Sequence, residues 1–421
     1  MFNERQTEVV IVGAGIAGLT AAKFLEKYNV QFQLLEASHR VGGRAYSEKL
    51  SNNNWFDLGC SYLHNGDLNP FVSIANKMNF PIDTLNGDMF DSHKTHYVLD
   101  GKKINLGSPN PFDIANENIL DKIKRSQTDA ALLEAIDIKD PFFPITCHLY
   151  ANLNAADPDV MSSEDYKASL YEGPDYPVSK GFGNLIKKWA KNIRVNLNTK
   201  VSQINSEGPL VKIKTSKGTL VTKKVILTVS TGVLAGHDIE MIPCLPKKTV
   251  NAINNLPMGT LNKIGISFNE QFFSQKDQGW YVSWASGNNI TDHQIGSFQV
   301  NTSGPQNVVV FAGGRYGKWL EDRGSKAMLD YAISMLEDVF GKNCTQKIEN
   351  SITTAWASEP LTKGSYSYAT PGKKSSRLKL AQPIENKIYI AGEATEINHY
   401  GTAHGAYFSG IKVATKVLGN L

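Results

Sequence analysis

Glu8-Val9-Val10-Ile11-Val12-Gly13-Ala14-Gly15-Ile16-Ala17-Gly18 is the stretch that decides the fold. The first five residues are mostly β-branched and read as a short strand, the glycines make a turn, and Leu19 to Tyr28 carries apolar residues at helical spacing. Val30 to Leu35 follows as a second strand that ends at Glu36. A strand, a glycine turn, a helix and a strand within about 30 residues make a dinucleotide-binding unit. Its glycines have separate tasks: Gly13 permits the tight turn, Gly15 lets backbone approach a pyrophosphate, and Gly18 lets helix and sheet pack closely. The phosphates are expected at the positive N-terminus of the helix. Glu36, at the end of the second strand, stands where a carboxylate accepts from ribose hydroxyls.

Just beyond Glu36, Arg40-Val41-Gly42-Gly43-Arg44 is a second glycine pair bracketed by guanidinium groups, suited to a pyrophosphate from the other side. A simple nicotinamide dehydrogenase would normally run into its next helix here. From about Asn76 to Pro177 the text turns irregular, with helices expected and prolines at 141, 144, 158, 174 and 177, and reads as a separate domain or cap. Gly181 to Ala190 opens as a helix, and Val201 to Ile204, Leu210 to Thr215 and Val225 to Val229 follow as strands around a Lys217-Gly218 turn, a return to the first domain. Strands at Lys263 to Phe268, Gln294 to Val300 and Val308 to Ala312, with a helix near Lys326 to Val339, mark a second return to the other domain. Lys387 to Ala391 is a buried-type strand, and His404 to Leu418 the closing helix.

Composition bounds the function classes. At 421 residues two interleaved or tandem domains are expected, with 41% hydrophobic and 20% charged residues as in an ordinary globular chain. The formal charge of +4 comes from 44 basic and 40 acidic residues without a long like-charge run, so no nucleic-acid footprint is expected. Cys60, Cys147, Cys244 and Cys344 have no CxxC or zinc spacing, which points to free thiols and no metal site. The polar start through Glu4, Arg5 and Glu8 leaves no room for a signal peptide, and no run approaches a membrane span, so a cytoplasmic protein without a membrane anchor is expected.

LLEASHRVGGRAYS resembles the motif that follows the Rossmann unit in amine oxidases, phytoene desaturases and related flavoproteins. Four more patches in order extend the resemblance to the flavin-containing amine oxidases, the group of polyamine oxidases, monoamine oxidases and histone demethylases, with soluble polyamine oxidases nearest in motif. Asp57 to Gly66 is similar to the stretch that runs along the flavin and carries His64. Pro257 to Ile264 places Lys263 at the family's lysine that holds a water against flavin N5; a lysine among apolar strand residues is expensive to bury without such a partner. Trp356 to Pro360, then Gly364 to Tyr368, puts Tyr366 at one wall of the aromatic cage in front of the flavin. Ile390 to Thr395 with His399 to Ala406 puts Gly392 and Glu393 near the pyrophosphate or ribityl chain and Thr402 at the second cage position. Val201 is likewise assigned to the cofactor.

The resemblance implies an α/β fold: a discontinuous Rossmann-like FAD-binding domain (1–75, 178–245 and 355–421) with an interleaved α+β substrate-binding domain carrying a mixed sheet (76–177 and 246–354). It also implies noncovalent FAD, because Ser365 stands where monoamine oxidases carry their flavin-bonded cysteine. The expected reaction takes a primary or secondary amine to an imine by hydride transfer to flavin N5, with O2 as acceptor, hydrogen peroxide as product, and hydrolysis to aldehyde plus amine or ammonia. Lys263, Tyr366, Thr402 and His64 are the catalytic candidates. A polyamine is the first substrate expectation and a monoamine the next; Asp157, Asp159, Glu164, Asp165, Glu172 and Asp175 are the candidate acidic groups along a tunnel. The alternative is a desaturase or protoporphyrinogen-type oxidase of the same fold, which would not be expected to have the Lys263 and Tyr366 contexts. A non-enzymatic scaffold would require damage at positions that stand intact.

Overall fold

The computed structural model describes residues 6–51, 54–84, 94–107, 109–170, 173–269, 271–287, 290–302 and 304–421. Glu4, Arg5 and Glu172 lie outside them. The opening strand, Gln6–Val12, sits in the middle of the first sheet, parallel to Phe32–Leu35 on one side and to Gly218–Leu227 on the other. Val9, Val10 and Ile11 are wholly buried because both faces of this strand are covered, as a continuous apolar run in a parallel sheet requires. On one face lie the helices Ile16–Lys27 and Ala403–Leu418, packed on each other. The other face is closed by residues such as Leu234, Ile253 and Leu256.

The sheet continues outward from Gly218–Leu227 through Val211–Thr215 and Val201–Asn205 to Glu240–Ile242, and Ile388–Ile390 also pairs Gly218–Leu227 in parallel. The first, middle and last thirds of the chain thus share one sheet, and the strand reached from Lys387 to Ala391 in sequence is Ile388–Ile390.

A second sheet runs in the order Ile348–Thr353, Leu261–Phe268, Asn307–Gly313, Ile295–Val300, Gly279–Trp284, Thr95–Leu99, Lys102–Ile104. Its pairings are antiparallel except for Gly279–Trp284 against Thr95–Leu99. Helix Ser325–Phe340 covers it, burying Met328, Tyr331 and Leu336 against Ile266, Phe298 and Val310. Thr95–Leu99 and Lys102–Ile104 correct the reading of 76–177 as irregular and helical; the hairpin between them is short, and Lys102 and Lys103 broke its apolar alternation. Helices Pro111–Arg125, Phe143–Asn154 and Ser163–Ser169 do occupy the rest of that segment. Among the described residues no helix is long and apolar enough to cross a membrane.

Candidate active site

At the C-terminal ends of the parallel strands, where open α/β sheets bind their ligands, the glycine turn forms one end of a cavity of about 1380 Å³. Gly13 has φ +101°, the left-handed region that favours glycine, and accepts a hydrogen bond at its carbonyl from Thr228. A Cβ on Gly18 would lie 1.9 Å from the Gly13 oxygen, so this glycine serves helix-to-turn packing and does not line the cavity. Gly15 caps helix Ile16–Lys27 with no side chain, and a Cβ there would meet nothing within 4 Å: its open face looks into the cavity. The second glycine pair abuts the first, for Gly42 N–H donates to the Ala14 carbonyl (2.9 Å) and Gly43 stands against Gly15. Glu36 accepts one backbone N–H on each carboxylate oxygen, from Ala14 (2.7 Å) and Ser38 (2.8 Å), which fixes it at the cavity wall with lone pairs left for hydroxyl donors.

Deeper in, Glu393 organises the far wall. Its carboxylate accepts from Arg44 (3.0 Å), Ser367 Oγ (2.8 Å), Ser367 N–H (3.2 Å) and Gly401 N–H (3.0 Å). Burial alone would raise its pKa, but Arg44 and Arg377 with these donors hold it below the ordinary value. Arg44 also donates to the Ser365 carbonyl (2.8 Å), so the guanidinium expected on a pyrophosphate is anchored to the 365–393 wall. Gly392, like Gly15, has nothing within 4 Å of a Cβ position. Val201 lines the cavity as well, at the start of its strand.

Lys263 is 6% exposed on Leu261–Phe268. Its ammonium donates to the Asp57 carbonyl (3.1 Å), the Gly59 carbonyl (2.5 Å) and Ser61 Oγ (2.5 Å). Burial pushes its pKa down to about 8 against the opposing pull of Asp57 and Cys60. Three protein acceptors therefore hold the head group that the family pattern gives to a water, and Ser61 carries that contact to the cavity wall. Asp57, in turn, is pushed up to about 6 by burial despite its hydrogen bonds from Ser47 and Phe182 N–H.

His64 pairs through Nδ1 with Asp175 (3.1 Å). Asp175 is buried and also accepts from Asn65 N–H, because Tyr62–Leu63 and Tyr176–Pro177 pair as strands and bring the two segments together. Tyr366 donates to the Leu153 carbonyl (2.6 Å) and burial raises its phenol well above the usual range, so it stays neutral. Thr402 caps helix Ala403–Leu418: its hydroxyl accepts from Gly405 N–H (3.0 Å) and donates to the His399 carbonyl (2.7 Å).

His64, Lys263, Tyr366, Thr402, Gly13, Gly15, Glu36, Gly43, Arg44, Val201, Gly392 and Glu393 all line this one cavity; of the catalytic and cofactor-binding candidates, Gly18 alone does not. The acidic stretch is corrected. Asp157 and Asp159 pair with Arg315, Glu164 with Lys167 and Lys374, Asp165 with Arg377, and Asp175 with His64; none of these five lines the cavity. A carboxylate that does reach it is Asp113, in the first turn of Pro111–Arg125, which no motif marked.

The residues fit a flavin dinucleotide. Two glycine faces open on the cavity, a helix N-terminus with no side-chain cap stands ready for phosphate, and the volume exceeds that of ordinary small-ligand pockets. Gly13 to Gly15 and the first turn of Ile16–Lys27 would hold the pyrophosphate, and Glu36 the ribose. Position 365 is a serine, bonded through its hydroxyl to the backbone of Leu261.

A family model described as flavin containing amine oxidoreductase matches residues 149–418, and one described as an NAD(P)-binding Rossmann-like domain matches residues 11–77. The probable polyamine oxidase 4 of Arabidopsis thaliana is 27% identical over 98% of this chain and 87% of its own length. Polyamine oxidase 4 of Oryza sativa subsp. japonica is 28% identical over 96% of this chain and 87% of its own. Lysine-specific histone demethylase 1 homolog 2 of Arabidopsis thaliana is 26% identical over 97% of this chain and 58% of its own. A glycine cradle for FAD that opens on a buried lysine and a neutral tyrosine, in a chain matched by this family over more than half its length, identifies a member of the flavin containing amine oxidoreductases, an FAD-dependent amine-oxidising enzyme.

Proposed function

We propose that the enzyme oxidises a primary or secondary amine to an imine with O2 as the electron acceptor, yielding hydrogen peroxide and, after hydrolysis, an aldehyde with an amine or ammonia. FAD, when bound, supplies the hydride acceptor. The chain's own residues bind and orient the amine and exclude water. The ring of Tyr366 attracts an alkylammonium, while exclusion of water from the site favours the neutral amine that is oxidised. His64, with Nδ1 tied to Asp175, is positioned to exchange a hydrogen bond with the substrate nitrogen. Lys263, held by Asp57, Gly59 and Ser61, brings a group that titrates near 8 to the far wall.

The observation that carries the reading is one cavity lined both by Gly13 and Gly15 of the glycine turn and by Lys263 and Tyr366. A polyamine is the first substrate, on the names of the relatives rather than on the acidic stretch. The division into 1–75, 178–245 and 355–421 against 76–177 and 246–354 belongs to the same reading; it is supported by the membership of the two sheets. A peroxide-coupled screen of the FAD-containing protein against spermine, spermidine, N-acetylated polyamines, putrescine, benzylamine and tyramine tests it. Turnover of a polyamine is the expected result; bound flavin that no amine bleaches would sink the proposal.

A further inference from the structure

Tyr400, Gly401 and Thr402 form the turn that enters the closing helix. The Thr402 hydroxyl is engaged by the helix cap, donating to the His399 carbonyl and accepting from Gly405 N–H, and the side chain brings no ring to the cavity. Two residues earlier, Tyr400 also lines the cavity and is 8% exposed as a residue. Behind that ring the Arg377 guanidinium is stacked 3.8 Å from the centroid. Arg377 is itself wholly buried and held by Asp165 through two 2.7 Å bonds. The turn is pinned as well: Gly401 has φ +68°, donates its N–H to Glu393, and would set a Cβ 3.1 Å from the Tyr366 ring. Glycine at 401 therefore lets the Tyr366 ring close against the turn that carries Tyr400.

We propose that Tyr400 is the second aromatic wall of the amine site, a specificity-determining residue braced from behind by the buried Asp165–Arg377 pair. The proposal rests on the amine oxidase reading. Two tyrosines that flank Gly401 and line the same cavity offer the nitrogen and first carbons of an amine two aromatic surfaces. Fixing the ring before the substrate arrives removes an ordering penalty at binding. A buried ion pair adds little net stability over an apolar packing of the same volume, so its value here lies in fixing the plane of the ring.

The test compares the wild-type FAD enzyme with Tyr400→Leu and Tyr400→Phe. The KM for benzylamine is measured, together with the Kd of benzyltrimethylammonium, which has no nitrogen lone pair and is not oxidised, by fluorescence titration. Tyr400→Leu raises both by about 3- to 30-fold, and Tyr400→Phe, which keeps the ring, restores most of the affinity. Should the leucine variant not accumulate folded, Tyr400→Met takes its place. KM and Kd within twofold of wild type, in a variant that retains its flavin, overturn the wall. A wild-type enzyme that holds FAD and oxidises no amine overturns the amine oxidase reading instead, and the wall with it.

Discussion

Replacing Arg377 with methionine is expected to cost about 3–5 kcal/mol of folding free energy, the range for breaking a buried ion pair from one side. The size follows from what the substitution leaves behind. Asp165 is 1% exposed, and its two short bonds from Arg377 are its charge partners there. With methionine at 377 the carboxylate keeps the Ala369 N–H (3.0 Å) and little else. The same change removes the Arg377 bonds to Ser367 Oγ and the Ala394 carbonyl and the cation over Tyr400. At about 2.1 cal/mol/K of unfolding entropy per residue, a chain of this length unfolding as one unit loses about 3–6 °C in Tm, and a smaller cooperative unit loses more. Differential scanning calorimetry of the FAD-loaded protein reads the shift. The double variant Asp165→Leu/Arg377→Met leaves no orphaned charge and should recover more than half of the loss. A single variant that melts within 1 °C of wild type, or a double variant that shows only the sum of two penalties, refutes the reasoning.

Gly15→Ala should fold normally and lose FAD affinity, since its Cβ meets only the cavity, whereas Gly18→Ala, with its Cβ 1.9 Å from the Gly13 oxygen, should fail to accumulate as folded protein; equal flavin content in the first variant would contradict this. Thr402→Ala should cost about 1 kcal/mol as a lost helix cap, with Thr402→Ser close to wild type in thermal unfolding; if serine is as damaging as alanine, the cap is not what the hydroxyl does. Lys263, with its pKa lowered from 10.5 to about 8, binds fewer protons folded than unfolded between those values. Stability should therefore rise with pH through that window, by up to about 3 kcal/mol, and be lower below pH 8. Denaturant unfolding of Lys263→Met should lack this rise, and a slope that persists in the variant would exclude Lys263 as its source. In oxygen-consumption assays the wild-type profile should inflect near pH 8 and that of Lys263→Met should not.

The parts of the molecule that were legible in the sequence are those whose physics is local. Strand, turn and helix at Gln6–Lys27 announce themselves through a β-branched run, three glycines and a 3.6-residue period within one short window. Glu36 and the Gly42–Gly43 pair follow within the next turn of chain, and all of them meet at the cavity except Gly18, whose packing task was also readable. What could not be read was the pairing of charges far apart in the chain. Asp165 and its ion-pair partner Arg377 are 212 residues apart, and Lys263 is 206 residues from Asp57, whose backbone carbonyl it bonds and whose carboxylate acts on its charge; nothing local distinguishes a carboxylate that will be buried from one that will be solvated. The stretch from Asp157 to Asp175 looked like a lining of acids for this reason, although each described member is matched to an arginine, lysine or histidine elsewhere in the fold.

His64 shows how the hidden part bears on function. The sequence offers a histidine beside the flavin motif but cannot say which nitrogen is occupied, and that depends on Asp175, 111 residues later, reaching it through a two-residue strand pair. A carboxylate bonded to Nδ1 holds the imidazole in one orientation beside the cavity. Asp175→Leu, which cannot hold the ring, should therefore lower kcat/KM for an amine by about 10-fold or more with flavin content unchanged, whereas Asp175→Asn, whose amide oxygen can still accept from Nδ1, should keep most of it. A leucine variant that keeps its flavin and oxidises the amine with wild-type kcat/KM would show that His64 does not position the substrate.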